Sequence, residues 1–156
     1  MGPCIFCEIV AGRLPAHVIW EDEKHMAFLS IFPNTPGFSV VVTKEHRPSY
    51  VFELDDESFL GLMRASRATA LRLDNAFEDV GRTGCMIEGF GIDHAHVKLF
   101  PMHGTTGPWR QIKSNNPRFF LSYEGFISSH DCHRADDREL AELARRIQIS
   151  VKLKGL

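Results

Sequence analysis

The sequence lacks the features of several protein classes. No apolar run approaches the roughly 18 residues that a membrane helix needs. The opening residues MGPC do not have the basic and then apolar layout of a secretory signal. A formal charge of −2 and a pI near 6.4 leave no broad basic surface for a nucleic-acid backbone. These absences predict a cytoplasmic protein that has neither a membrane nor a nucleic-acid polymer as a partner.

Cysteine is also scarce, with four in 156 residues, at positions 4, 7, 85 and 132. Their number and uneven spacing do not fit a disulfide-stapled secreted module, so we expect thiols or metal ligands. Histidine, by contrast, occurs eight times. Because imidazole titrates, ligates metals and attacks electrophiles near neutral pH, the positions of the histidines decide the functional interpretation.

The hydrophobic pattern predicts one α+β domain. A length of 156 residues fits a single ordinary domain. Short apolar and β-branched runs separated by turn residues predict strands, and a three- to four-residue period predicts helices. The strands are expected at 18–20, 26–31, 38–43, 85–88 and 94–100, a long helix at about 55–77, a loop that covers the sheet at 101–117, and a terminal helix that begins at 136–137.

The segment DHAHVKLFP at 93–101 contains the most informative pattern. A strand sends alternate side chains to opposite faces, so His94, His96 and Lys98 project together while the apolar residues between them face the core. The row could be the polar face of an ordinary strand or a simple metal site. Gly89, Gly91 and Lys98 favour a phosphate site instead, because they supply backbone donors and a cation for phosphoryl oxygens.

Together with other segments, this motif resembles the histidine-triad (HIT) family of nucleotide hydrolases and transferases. The strand is similar to the family's H-x-H-x-H motif that ends in proline, with lysine at the third position. The opening CIFCEIVAG at 4–12 is similar to that of many bacterial members, and residues 28–46 are similar to the family's second and third strands. The resemblance spans residues 4 to about 103.

The resemblance implies that His96 attacks the α-phosphorus of a nucleotide and forms a nucleotidyl-histidine intermediate that water resolves. His96 is expected to be held in one tautomer by a backbone carbonyl, with Lys98 and nearby amides stabilising the phosphoryl charge and His94 supporting the pocket. The implied reaction is hydrolysis of a nucleoside phosphoramidate or a dinucleoside polyphosphate, with an adenosine-type nucleotide as substrate. Family branches without the third histidine include transferases, so transfer to phosphate is one alternative, and a non-catalytic nucleotide- or metal-binding module is the other.

The nucleotide contacts are expected to come from the second strand, the loop before the motif and the segment after it. Ser30 stands where the family commonly has an acid that grips the ribose hydroxyls. The resemblance leaves open which base and which leaving group are preferred. The candidate contacts are Phe28, Ser30, Gly89, Gly91, His103 and Trp109.

Cys4 and Cys7 have the spacing of a zinc knuckle, but a zinc site needs four ligands and isolated pairs are often coincidental. The resemblance implies that His46 and His94 complete a structural Cys2His2 site. Such a site leaves no open position for catalysis, and we expect the reaction to need neither this zinc nor magnesium.

The fold implied by the resemblance is the HIT-like fold. It consists of a five-stranded antiparallel sheet with one long helix and a C-terminal helical extension. Residues 1–106 are expected to form the HIT domain, with residues 107–156 packed on it as the extension. Two protomers are expected to join edge to edge as a homodimer, which would cover an exposed strand.

Overall fold

The computed structural model describes residues 4–112 and 134–149 of the chain. In these ranges, none of the helices combines the length and the apolar composition that a membrane span requires. The helices are α1 (Ile5–Val10), α2 (Asp56–Ala76) and α3 (Asp137–Ile149), and a 3₁₀ turn covers Val51–Glu53. The strands are β1 (Val18–Glu21), β2 (His25–Leu29), β3 (Ser39–Thr43), β4 (Thr83–Met86) and β5 (His96–Pro101).

The strands form one antiparallel sheet in the order β1-β2-β3-β5-β4. Strand β5 therefore lies inside the sheet, between β3 and β4. In its register His96 lies opposite Val42 of β3, while Lys98 lies between Val40 of β3 and Met86 of β4. The predicted α+β class and five-stranded antiparallel sheet are confirmed.

The two faces of the sheet bury different apolar clusters, as strand alternation requires. One face packs against α2 and α3 and forms the main core. Its strand residues include Ala27, Leu29, Val41, Val97 and Leu99. The other face packs against α1 through a smaller cluster that contains Phe6, Met26, Phe28, Phe38, Val40 and Val42. The motif side chains emerge on this second face, because the residues between them belong to the main core.

Helix α2 begins where the sequence provides an N-cap. The Asp55 side chain accepts a hydrogen bond from the backbone N–H of Ser58 at 2.9 Å, which satisfies one of the free donors of the first turn. Its periodic apolar positions then bury Leu62 and Leu73 completely against the sheet. Helix α3 adds a second stripe to the same core, formed by Leu140, Ala144 and Ile147.

The element boundaries differ from the predictions at several points. The predicted strands 94–100 and 85–88 are shifted, because β5 begins at His96 and β4 ends at Met86. Gly89, in the left-handed region at φ 76°, turns the chain after β4. Helix α1 was not predicted. Residues 102–112 contain neither helix nor strand, while the rest of the predicted covering loop, up to residue 117, lies outside the described residues.

Gly37 joins the 30–38 loop to β3 at a position where a side chain does not fit. Its φ is +82°, and a Cβ built on it would lie 2.7 Å from the ring of Phe77 and 3.0 Å from Pro101. We expect Gly37→Ala to lower the free energy of unfolding by about 2–5 kcal/mol, combining left-handed strain with overpacking. Denaturant titration measures this loss. Gly12→Ala is the matched control, because Gly12 has φ +70° but no atom within 4 Å of a built Cβ. Gly12→Ala should lower the free energy of unfolding only by the left-handed strain, about 1–2 kcal/mol. Equal losses in both variants would contradict the packing argument.

Candidate active site and metal centre

His96 is the first residue of β5, and the main chain fixes its protonation. Its Nδ1 lies 2.6 Å from the backbone carbonyl oxygen of His94. Because a carbonyl only accepts, Nδ1 carries the proton and Nε2 carries the lone pair in the neutral ring. The carbonyl partner predicted from the sequence is therefore present. A neutral imidazole with an unprotonated Nε2 is a nucleophile for an electrophilic phosphorus.

The surroundings of His96 favour the neutral ring. Burial lowers the pKa of His96 below the ordinary histidine value, and the Lys98 cation acts in the same direction. The His94 carbonyl and the Glu88 carboxylate act against this lowering of the pKa. Burial is the largest of these influences, so the net effect on the pKa of His96 is a lowering that favours the neutral ring.

The histidine row is less open than strand alternation alone suggests. Only 3% of His96 and none of His94 is exposed. The reason is α1, whose Phe6 lies edge-on against both rings, with ring centroids 5.3 Å from His96 and 5.8 Å from His94. The row still faces away from the main core, and Lys98 continues it along β5. The row lies on one face, as strand alternation predicts, and α1 covers its histidines.

Lys98 forms an ion pair with Glu88, a residue that the sequence analysis did not single out. The two side chains are only 16% and 14% exposed. The pairing follows from the register, because Met86 lies opposite Lys98 and Glu88 follows Met86 by two residues, just after β4 ends. Glu88 could have been found by counting two residues onward from the strand partner of Lys98. That partner is known only from the β4–β5 register, which cannot be read from the sequence.

His94 precedes β5 and has a separate set of partners. Its Nε2 donates to the carbonyl oxygen of Thr43 at 2.7 Å, so its Nδ1 carries the lone pair. That Nδ1 lies 3.4 Å from Cys4 Sγ, 3.6 Å from Cys7 Sγ and 3.3 Å from His46 Nδ1. His94 is thus oriented as a metal ligand, and the hydrogen bond from its other nitrogen to Thr43 fixes the ring, as is usual for ligating histidines.

Cys4, Cys7, His46 and His94 form a four-donor cluster that could hold a metal ion. Their ligand atoms all lie within 4.8 Å of one another. Tetrahedral zinc with bonds of about 2.0–2.3 Å needs neighbouring donors about 3.3–3.8 Å apart. The four contacts between these atoms, at 3.3 to 3.6 Å, match this requirement. The predicted Cys2His2 ligand set therefore fits a structural zinc ion. Such an ion would tie α1 to the loop after β3 and to His94, two residues before β5.

The other predicted site residues lie in different parts of the fold. Phe28 is on the α1 side of the sheet, 5.7 Å from Phe6 between ring centroids. Gly89 and Gly91 belong to the loop between β4 and β5. Ser30 follows β2 and lines a cavity of about 360 Å³ between the 30–38 loop and α3.

His103 and Trp109 are not brought to His96. His103 follows β5 at its opposite end, where Nδ1 is 3.0 Å from the Asp79 carboxylate and Nε2 is 3.0 Å from the carbonyl oxygen of Pro36. Trp109 is 74% exposed. The structure therefore places His94, His96 and Lys98 on one face, with the ring of His94 in the metal cluster, and leaves His103 and Trp109 away from them.

Comparisons with known proteins agree on one family. The profile described as HIT domain matches residues 11–104. A relative from Borreliella burgdorferi, an uncharacterized HIT-like protein, is 42% identical over 113 residues, which are 69% of this chain and 81% of that protein. Adenosine 5′-monophosphoramidase hnt1 of Schizosaccharomyces pombe is 31% identical over 102 residues, which are 63% of this chain and 73% of that protein. The fold matches the crystal structure of a zinc-bound histidine triad family protein from Mycobacterium smegmatis, with a TM-score of 0.67, 21% identity, and coverage of 96% of this chain and 93% of that one.

Proposed function

The chain belongs to the HIT domain family, and on this premise we propose that it is a nucleotide hydrolase that works through a nucleotidyl-His96 intermediate. The observation that carries the proposal is the 2.6 Å contact between His96 Nδ1 and the carbonyl oxygen of His94. This contact aims the lone pair of Nε2 away from the main chain and holds the ring in the tautomer that a nucleophile requires.

The proposed reaction has two displacements at phosphorus. In the first, His96 Nε2 forms a bond to the α-phosphorus while the P–N bond of a phosphoramidate breaks and its electron pair goes to nitrogen. The leaving nitrogen takes a proton from the Lys98 ammonium. In the second, water attacks phosphorus, the P–Nε2 bond breaks, and the water proton returns to Lys98. The products are a nucleoside monophosphate and an amine, and splitting the reaction in this way lowers each barrier.

An adenosine phosphoramidate is the substrate we propose, because one relative is named an adenosine 5′-monophosphoramidase. Phe28, Ser30, Gly89 and Gly91 are the proposed nucleotide contacts. Phe28 shares a sheet face with Phe6 and His96, and the two glycines lie in the loop that leads into β5. The predicted contacts of His103 and Trp109 require the nucleotide to extend past the far end of β5, and they stay predictions.

Transfer of the nucleotidyl group to phosphate is the alternative that Lys98 favours, because this residue replaces the third histidine of the motif. Incubation with adenosine 5′-phosphoramidate, a quench in alkaline denaturant and intact-mass measurement test both reactions. We expect one added adenylyl group, and AMP as the product with or without inorganic phosphate. ADP formed in the presence of phosphate would indicate the transferase, and metal retention with neither adduct nor turnover would indicate a non-catalytic module.

The metal cluster has no part in these steps. Zinc bound by Cys4, Cys7, His46 and His94 would have all four positions filled by protein, so it would supply structural support and no Lewis-acid chemistry at the substrate. We therefore propose that catalysis needs no metal ion at the phosphoryl group. The cytoplasmic location and the division into residues 1–106 and 107–156 also stay predictions.

A homodimer that pairs across β4 is also proposed. Strand β1 is covered at the sheet edge, because α3 packs against it and Gln148 donates to the carbonyl of Val18. Strand β4 is the other edge strand, and its Cys85 is exposed. An uncovered edge invites pairing with a second copy. Sedimentation equilibrium at micromolar concentration should give twice the chain mass of 17.7 kDa. A single-chain mass throughout that range would contradict the dimer.

A further inference from the structure

We propose that Glu88 selects the substrate class of this site. By neutralising Lys98 beside His96, it favours nucleoside phosphoramidates, whose leaving group is an amine, over dinucleoside polyphosphates, whose leaving group carries several negative charges. This inference rests on the proposed nucleotidyl transfer to His96. It assigns a function to a carboxylate that the motif does not contain.

The geometry places the Glu88–Lys98 pair beside the phosphoryl group that His96 attacks. Two residues along a strand advance the chain by about 6.4–6.8 Å, so Lys98 lies about that far from His96 on the same face. A phosphorus atom in near-attack contact sits about 3–3.5 Å from the nucleophile. A substrate held at His96 therefore lies within the electrostatic field of the ion pair, since both of its charges already act on the His96 ring.

The groups beside His96 carry opposite charges. Within the part of the chain that the structure describes, the charged groups that act on the His96 pKa are the Lys98 ammonium and the Glu88 carboxylate, in opposite directions. Both side chains are mostly buried, at 16% and 14% exposure, so water screens the pair less than it would at the surface. The carboxylate of Glu88 thus opposes the attraction of Lys98 for anions beside the nucleophile.

A carboxylate next to the ammonium treats the two substrate classes differently. An amine leaving group brings no negative charge and can donate a hydrogen bond to a carboxylate, which has several acceptor positions. A polyphosphate leaving group brings negative charges that need cations or donors around them. Glu88 withdraws part of the attraction that Lys98 would otherwise provide, so it discriminates against the polyphosphate.

The test compares kcat/KM for adenosine 5′-phosphoramidate and diadenosine tetraphosphate in the unaltered chain and in Glu88→Gln. Glutamine keeps the shape of the glutamate side chain and removes its negative charge. We expect the ratio of polyphosphate to phosphoramidate activity to rise about tenfold, and the rise to shrink as salt is added. Glu78→Gln is the matched control, since it makes the same chemical change at an exposed residue after α2 and should leave the ratio unchanged.

A second variant keeps the test decisive if Glu88→Gln does not fold. Glu88→Ala also removes the charge and leaves Lys98 in place as the proton donor, so it should raise the same ratio. An unchanged ratio in a folded variant that still forms the adduct overturns the role of Glu88 and leaves the proposed function intact. The absence of an adduct in the unaltered chain overturns the proposed function instead.

Discussion

His96→Ala is expected to abolish the nucleotidyl adduct and to lower turnover of adenosine 5′-phosphoramidate by at least about 10³-fold, because covalent catalysis ends when its nucleophile is removed. The ring is 97% buried and bonded to the His94 carbonyl, so no other described imidazole can take its place without rebuilding the strand. Intact-mass measurement after a quench in alkaline denaturant and a steady-state assay of AMP release check the two parts of this expectation.

Two controls separate lost chemistry from lost structure. His96→Asn keeps a side-chain N–H that can reach the His94 carbonyl, so it should fold like the unaltered chain and remain inactive. His17→Ala removes a histidine whose contact is with Asp137 of α3, outside the site, and should keep activity within a few-fold. An adduct on His96→Ala of normal mass and yield would disprove the assignment of the nucleophile.

Cys4→Ser is expected to lower both the zinc content and the stability of the purified protein. Serine is a poor zinc ligand, and one lost ligand leaves Cys7, His46 and His94 crowded within 3.3–3.6 Å of one another without a cation between them. Metal release should cost about 3–5 kcal/mol, which corresponds to a fall of about 10 °C in Tm for a chain of this length. Elemental analysis and thermal unfolding measure the two effects.

Cys85→Ser is the matched control for this substitution, because Cys85 is an exposed cysteine on β4 that lies outside the cluster. It should leave the metal content unchanged, and its effect on the Tm should be much smaller than that of Cys4→Ser. Treating the unaltered chain with a strong chelator should reproduce the fall in Tm that Cys4→Ser causes. Equal zinc in Cys4→Ser and in the unaltered chain would exclude this cluster as the metal site.

The sheet and the long helix could be predicted from the sequence because their patterns are local. The alternation at 94–99 separates polar from apolar side chains, and the structure places Val97 and Leu99 in the main core as that alternation requires. The three- to four-residue period of α2, with Asp55 before it, likewise contains its own start signal. These features depend on neighbours within one turn or one strand, so they need no knowledge of the tertiary fold.

The environment of the site could not be predicted in the same way. Helix α1 has six residues, too few for a periodic signal, yet its Phe6 is what buries the histidines. The Glu88–Lys98 pair depends on the register between β4 and β5, and a shift of one residue would have turned Glu88 to the other face. Long-range pairing therefore decides the charge beside His96, although the motif decides which residue is the nucleophile.

His94 contributes to two neighbouring sites, the nucleophile and the metal cluster, through different atoms. Its backbone carbonyl holds the ring of His96, and its own ring faces Cys4, Cys7 and His46. A protein engineer could therefore not remove the metal ligand at this position and keep the nucleophile undisturbed, since both depend on where one short segment of main chain sits. Oxidation of the two thiols would therefore also disturb the reactive imidazole without modifying it, because it would shift the main-chain segment that holds the His96 ring.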